Sequence, residues 1–268
     1  MSGRMPMRCD IVTLFPDMVL PVLGQSMLKR AQEKGLLEVR VHNLRDYTEG
    51  RHQVADDTPY GGGAGMVMKA EPVFRAVDAL RQTHREGPGL RLVLPSPQGR
   101  VFTQSCAEEF RDEPRRLVFL CGHYEGFDER VLLGLRPEEI SVGDYVLTGG
   151  ELPALVMIDA AVRLVPGVLG DPDSARAESF TDSLLDFPNY TRPPDARGLA
   201  VPEVLISGNH EAIRRWRRKE SLRRTYVKRP DLLQDRILSD EDRRLLDEIV
   251  HEQTNANICE VRGGGVLP

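Results

Sequence analysis

Apolar positions in the first two thirds of the chain switch repeatedly between continuous runs and helical spacing. Residues 8–14 form a β-rich run stopped at Phe15-Pro16, and residues 37–42 have the same character. Residues 90–94 and 117–121 are short unbroken apolar runs, the form expected of strands buried on both faces of a parallel sheet. Residues 142–147 read as a further short strand. Between these runs, residues 22–34 predict a helix closed by Gly35, a residue that tolerates a left-handed terminus. Residues 71–84 place Val73, Phe74, Val77 and Leu80 on one helical face, and residues 152–165 predict another helix. The alternation predicts an α/β domain with a largely parallel sheet.

The pattern changes after residue 169. Residues 170–197 are rich in Asp, Pro, Ser and Gly, with Pro193-Pro194, and read as a mobile linker. A helix over 209–227 then carries Ile213, Trp216 and Leu222, with Trp216 expected in a core, and Ser239-Asp240-Glu241-Asp242 caps a last helix over 242–253. The expected organisation is a catalytic domain over 1–169, a linker over 170–197, a small helical domain over 198–256 and a disordered tail over 257–268.

Composition narrows the class. A chain of 268 residues, 40% apolar and 29% charged, suits two soluble domains. No apolar run approaches the roughly 20 residues of a membrane span. The first six residues lack the apolar segment of a secretory signal, and Met7 could be an alternative start. Cys9, Cys106, Cys121 and Cys259 have no close spacing, which excludes a disulfide scaffold or zinc motif and predicts a reducing cytoplasm. The net charge of −5 is unevenly placed: residues 214–229 hold nine Lys/Arg and one acid, Glu220. Such a block is either a solvated helix face or a footprint for a phosphate backbone.

The glycine loops carry the chemistry. Tyr60-Gly61-Gly62-Gly63-Ala64-Gly65-Met66 lacks the Gly-Lys-Ser/Thr ending of a P-loop and the last glycine of a dinucleotide fingerprint, which disfavours a kinase or GTPase. Three quieter loops each follow or span a predicted strand: Ser96-Pro97-Gln98-Gly99, Gly122-His123-Tyr124-Glu125-Gly126, and residues 141–150. Ligands of open α/β sheets bind beyond the carboxyl ends of strands, so these loops are expected to converge on one crevice.

Read in order, these segments resemble the bacterial tRNA (guanine-N1)-methyltransferase family. The resemblance runs from Asp10-Ile11-Val12-Thr13-Leu14-Phe15-Pro16 to Arg229-Pro230-Asp231-Leu232-Leu233, through Asp56-Asp57-Thr58-Pro59-Tyr60, Cys121-Gly122-His123-Tyr124-Glu125-Gly126, Val142-Gly143-Asp144-Tyr145 and Asn189-Tyr190-Thr191-Arg192-Pro193. It implies a trefoil-knotted α/β methyltransferase domain plus a small helical C-terminal domain. It also implies a homodimer with active sites at the subunit interface, and methyl transfer from S-adenosylmethionine to N1 of guanosine 37 of tRNA. By motif, the cofactor cleft would use Ser96, Pro97, Gly122, Tyr124, Glu125, Gly126, Val142, Gly143, Tyr145, Leu147, Gly149 and Gly150. Glu125 would meet the cationic part of the cofactor, with Arg130 as its alternative partner.

Methylating N1 requires a proton acceptor at N1 and a cationic donor at O6. The family pattern puts the donor at Arg163. It puts the base at Glu178, where the family's Asp is replaced by Glu, with Asp182 and Asp186 as nearby alternatives. Arg51, His52, Asp56, Asp57, Asp186 and Arg192 are expected to meet the RNA, and Arg214, Arg215, Arg217 and Arg218 its phosphates. Family members have been linked to Mg2+, but no clustered ligand set locates a site, and His42 and His84 read as surface residues. A non-catalytic RNA-binding protein and a knotted methyltransferase acting on ribosomal RNA are the competing readings.

Overall fold

The computed structural model describes residues 5–170, 178–180, 182–234 and 236–263, with side chains of the last helix described to Thr254. The chain divides into two units, Met1–Pro172 and Asp173–Pro268.

The first unit is built on a five-stranded sheet. Its strands are β1 (Met7–Thr13), β2 (Leu37–Asn43), β5 (Leu90–Val101), β6 (Arg116–Leu120) and β7 (Glu138–Ser141), in the order β2-β1-β6-β5-β7. All neighbours are parallel. β6 is central and buried at every position, as its unbroken apolar run requires. Successive side chains alternate between two cores. Cys9, Ile11, Leu117 and Phe119 face α1 (Pro16–Leu23), α2 (Ser26–Glu33), α4 (Gln104–Asp112) and α6 (Glu151–Val162). Val12, Val118 and Leu120 face α3 (Ala70–Thr83) and α5 (Glu129–Leu135). The result is the expected α/β domain with a parallel sheet. A short hairpin of β3 (Asp56–Asp57) and β4 (Val67–Met68) carries the glycine-dense loop.

Several elements differ from the sequence expectation. The single helix over 22–34 is two, because Pro16 starts α1 early and Gly24 caps it. Gly35 does adopt a left-handed φ of 66°. Residues 142–147 form loop rather than strand: β7 is the polar segment just before them, and Gly143 takes a φ of 145°. β5 runs past the expected end through a register shift between Pro95 and Arg100.

His42 and His84 are not surface residues. Both flank Asp10, which is wholly buried on β1; His42 Nε2 lies 2.7 Å from its carboxylate and His84 Nε2 3.9 Å. Arg116 joins them at 3.3 Å. Strands β1, β2 and β6 and the C-terminal end of α3, not local sequence, assemble this cluster.

In the second unit, Leu184, Leu222, Leu245 and Ile249 form the core between α8 (His210–Lys228) and α10 (Asp240–Gly263). Asn209 caps α8 and Ser239 caps α10 by accepting backbone N–H bonds. No proline or glycine interrupts α10 before Gly263, so it passes the expected end at residue 253; residues 264–268 lie outside the described residues. A β8–β9 hairpin (Asp195–Ala196, Leu199–Ala200), α7 (Glu203–Ile206) and α9 (Asp231–Gln234) complete the unit. Of the expected linker, residues 171–177 and 181 lie outside the described residues. Its later part is docked: Leu184 is buried, Leu185 N donates to Thr225 Oγ1 and Ser221 Oγ donates to Leu185 O. Among the described residues no helix is long and apolar enough to cross a membrane.

Candidate functional site

The strands β5, β6 and β7 end at one edge of the sheet, and the loops that follow them enclose a cleft of about 410 Å3 in the first unit. Ser96 and Pro97, the 122–126 loop, and residues 142–149 all reach its wall. The three loops therefore converge as the sheet geometry predicts. Every residue expected by motif for the cofactor lines this cleft except Gly150. Gly150 stands behind the wall: a Cβ there would lie 2.9 Å from Cys121 Cα, so its glycine serves close packing of α6 on β6.

Hydrogen bonds fix the loops. Ser96 Oγ donates to Glu139 at 2.7 Å and accepts from Gln98 N. Ser141 Oγ bonds both the N and O of Gly143. Gly150 N donates to Gly122 O at 2.8 Å, tying the second loop to the third. Tyr124 and Gly126 take φ values of 59° and 95°, which turn the 122–126 backbone toward the cleft. Leu94, Ile140 and Pro153 add an apolar floor. Apolar walls with exposed backbone amides and carbonyls suit a flat heteroaromatic ring with a polar edge.

The glycine-dense loop has a part in this cleft. Met66 O accepts from Glu125 N, and a Cβ on Gly65 would lie 2.5 Å from Glu125 Oε1. Tyr60, at the hairpin tip, is fully exposed. Glu125 does not pair with Arg130, which instead grips Asp128 at 2.6 Å. That hydrogen bond lowers the Asp128 carboxyl to about 2.

Beneath the loops lies a polar group not anticipated from the sequence. Glu151, in the first turn of the apolar helix α6, is wholly buried. Thr13 Oγ1 donates to its Oε1 at 2.6 Å. Its Oε2 lies 3.7 Å from His123 Nδ1, and among the described residues neither of those atoms has a hydrogen-bond partner. The Phe15 ring packs on His123 at 4.4 Å. An acid inside an otherwise apolar helix was the available signal. Burial, followed by the charge of Glu151, pushes the Cys121 thiol well above its ordinary range, so it is no nucleophile.

Arg163 caps the C-terminus of α6 and is half-buried. In the second unit, Glu178, Asp182 and Asp186 share the wall of a cavity of about 370 Å3 with His210, Arg214, Arg217 and Arg218. Asp182 is bound by Arg218 and Arg236, each at 2.8 Å. Burial disfavours its charge, but these hydrogen bonds outweigh that and hold its carboxyl below the ordinary value. Asp186 accepts from Phe187 N at 2.7 Å and Asn189 Nδ2 at 3.2 Å. A carboxylate gripped by two guanidinium groups, as Asp182 is, is weakened as a base.

The residues expected at the RNA divide. Arg51, His52 and Arg192 are exposed. Asp56 is half-buried in the hairpin, and Asp57 is paired with Lys69 at 3.1 Å. The basic block of α8 is largely neutralised by the acids of α10: Arg214 pairs with Glu211 and Glu241, Arg215 with Glu248, and Arg218 with Asp242. Those three arginines are therefore compensated by carboxylates. Arg217 differs, lying over the Phe187 ring at 4.8 Å. Trp216 is half-buried beside Tyr190. Among the described residues no group of three His, Cys, Asp or Glu side chains could hold a metal ion.

Comparison with known proteins agrees with this layout. A family model described as tRNA (guanine-1)-methyltransferase TrmD matches residues 7–235. A protein of Dictyoglomus turgidum named tRNA (guanine-N(1)-)-methyltransferase is 55% identical over 246 residues, covering 92% of this chain and 98% of that protein. A protein of the same name from Bacillus cereus strain G9842 is 56% identical over 247 residues, covering 92% of this chain and all of its own. One from Dehalococcoides mccartyi, also of that name, is 53% identical over 247 residues, with 92% and 98% coverage. With this identity maintained across both units, the chain belongs to the tRNA (guanine-1)-methyltransferase TrmD family.

Proposed function

We propose that this chain transfers a methyl group from S-adenosylmethionine to N1 of guanosine 37 of tRNA, the nucleoside 3′ to the anticodon. The observation that carries the reading is the cleft at the carboxyl ends of β5, β6 and β7, whose wall is made by the family's loop motifs. S-Adenosylmethionine supplies an electrophilic methyl group on a sulfonium centre. Backbone groups of the 122–126 and 142–149 loops would meet its adenine edge, and Glu125 would complement its positive charge. Trefoil threading of these loops belongs to the same reading.

N1 of guanine carries a proton and is a poor nucleophile until that proton leaves. Glu178 takes the N1 proton; the electron pair freed at N1 would attack the methyl carbon as the S–CH3 bond breaks, that bond's electrons returning to sulfur and S-adenosylhomocysteine leaving as a neutral thioether. Negative charge that moves onto O6 is met by the guanidinium of Arg163. Glu178 reaches one methylene further than the Asp of the family pattern, and it shares a cavity wall with Arg217, a guanidinium able to hold a neighbouring phosphate. A homodimer whose subunits each complete the other's site belongs to the same proposal. Arg51, His52, Asp56 and Asp57 are placed on the RNA side, and the cytoplasm is the proposed compartment.

Calorimetric titration with S-adenosylmethionine, followed by transfer of labelled methyl groups to unmodified tRNA, tests this function. One cofactor bound per chain and label in the tRNA are expected. RNA binding without cofactor binding would favour the non-catalytic reading. Label only in ribosomal RNA would move the substrate.

A further inference from the structure

Helix α8 carries two kinds of cation. Arg214, Arg215, Arg218, Lys219 and Arg223 are all ion-paired, mostly with acids of α10. Arg217 is exposed and, among the described residues, has no carboxylate partner; its guanidinium rests on Phe187. Arg192 is likewise exposed without such a partner. These two arginines border a trough of about 1000 Å3 whose wall includes Phe187, Tyr190, Leu205, Ile206 and Ile213, and no acidic residue. Tyr190 is 49% exposed, so one part of its ring is open while the rest packs by Trp216 at 6.3 Å.

An apolar, aromatic surface edged by uncompensated cations matches one chemistry: a flat base with a phosphate attached. The trough shares Phe187, Ile213 and Arg217 with the cavity that holds Glu178. We infer that it binds an unpaired nucleotide of the RNA next to the methylated one, its base against Tyr190 and its phosphate on Arg192 and Arg217. This inference rests on the proposed RNA substrate and says where a second nucleotide is held. Of the four α8 arginines expected at the phosphates, Arg214, Arg215, Arg217 and Arg218, it keeps Arg217 alone, because an arginine already paired with a carboxylate releases few counterions on meeting a phosphate.

The test is titration of the full-length protein with unmodified tRNA at several salt concentrations. Arg192→Ala and Arg217→Ala should each lower the slope of log K against log salt by about one, whereas Arg223→Ala should leave the slope unchanged. Tyr190→Ala should weaken RNA binding roughly tenfold, and Tyr190→Phe should restore it. Far-ultraviolet circular dichroism and the melting temperature report whether each variant keeps its fold. Cofactor affinity should be the same in all of them. Unchanged slopes for both arginine variants, or no loss in Tyr190→Ala, would overturn the inference. So would a changed oligomeric state with RNA affinity intact, which would make the trough a protein interface. A wild-type protein that neither binds nor methylates tRNA would sink the proposed function instead. Wild-type methylation with variants that behave like it sinks only this site.

Discussion

Gly149 is the glycine whose replacement should disturb the cleft most directly. An added Cβ would stand 2.3 Å from Glu151 Oε2 and 2.4 Å from His123 Nδ1, against an ordinary contact of at least 3.4 Å. The overlap of about 1 Å cannot be relieved by a side chain swinging into solvent. Glu151 is fully buried and its other oxygen is held by Thr13, and His123 is packed under Phe15. The 142–149 loop must therefore lift, and overpacking of this kind costs about 1–3 kcal/mol. For a unit of this size that corresponds to a fall of roughly 2–12 °C in melting temperature. Because the same loop forms the cleft wall, the Kd for S-adenosylmethionine should rise about tenfold, equivalent to roughly 1.4 kcal/mol. Gly170→Ala is the control, since a Cβ there meets nothing within 4 Å. Scanning calorimetry and cofactor titration of both variants decide the matter. A Gly149→Ala protein that melts with wild type and binds the cofactor equally well would refute the reasoning.

Thr13→Val should lose about 1.5–3 kcal/mol in urea unfolding, because the buried Glu151 carboxylate loses its charge-assisted hydrogen bond. Thr13→Ser should recover most of that, and equal stability of Val and Ser variants would count against the bond. Cys9 and Cys121, both buried with thiols pushed up chiefly by desolvation, should resist iodoacetamide at pH 8 in the folded protein; alkylation as fast as in urea would contradict this. Glu113 is lowered to about 2, first by the Arg115 hydrogen bond. Since its folded value lies below the ordinary 4.5, its stabilisation is complete above about pH 4.5 and disappears as the pH falls through about 2. A carboxyl NMR titration with a midpoint near 4.5 would remove that contribution.

The buried strands were legible because a strand covered on both faces must be apolar throughout, as residues 117–120 are. The cleft was legible for the same reason, since the ends of such strands dictate where their loops meet. Residues 142–147 misled because most of the apolar side chains there line an open cleft rather than fill a core: Val146 is 83% exposed. The basic block was legible as charge, but the carboxylates that compensate it were not. Its partners, from Glu241 to Glu252, are distant in sequence and meet it only when α10 packs on α8. Glu151 and Thr13, 138 residues apart, were invisible for the same reason, as was the Asp10 cluster with His42 and His84. Pattern reports what one segment buries, whereas ion pairs between segments require the fold.

The central claim is that one cleft delivers a methyl group to N1 of a single guanosine while Glu178 removes its proton. Single-turnover incubation of unmodified tRNA with S-adenosylmethionine, followed by mass spectrometric mapping of the nuclease fragments, tests it most directly. Wild type should give 1-methylguanosine at residue 37 alone. Glu178→Gln should bind the cofactor with unchanged Kd and give none. Full methylation by Glu178→Gln, or a methyl group on another nucleoside, would contradict the account.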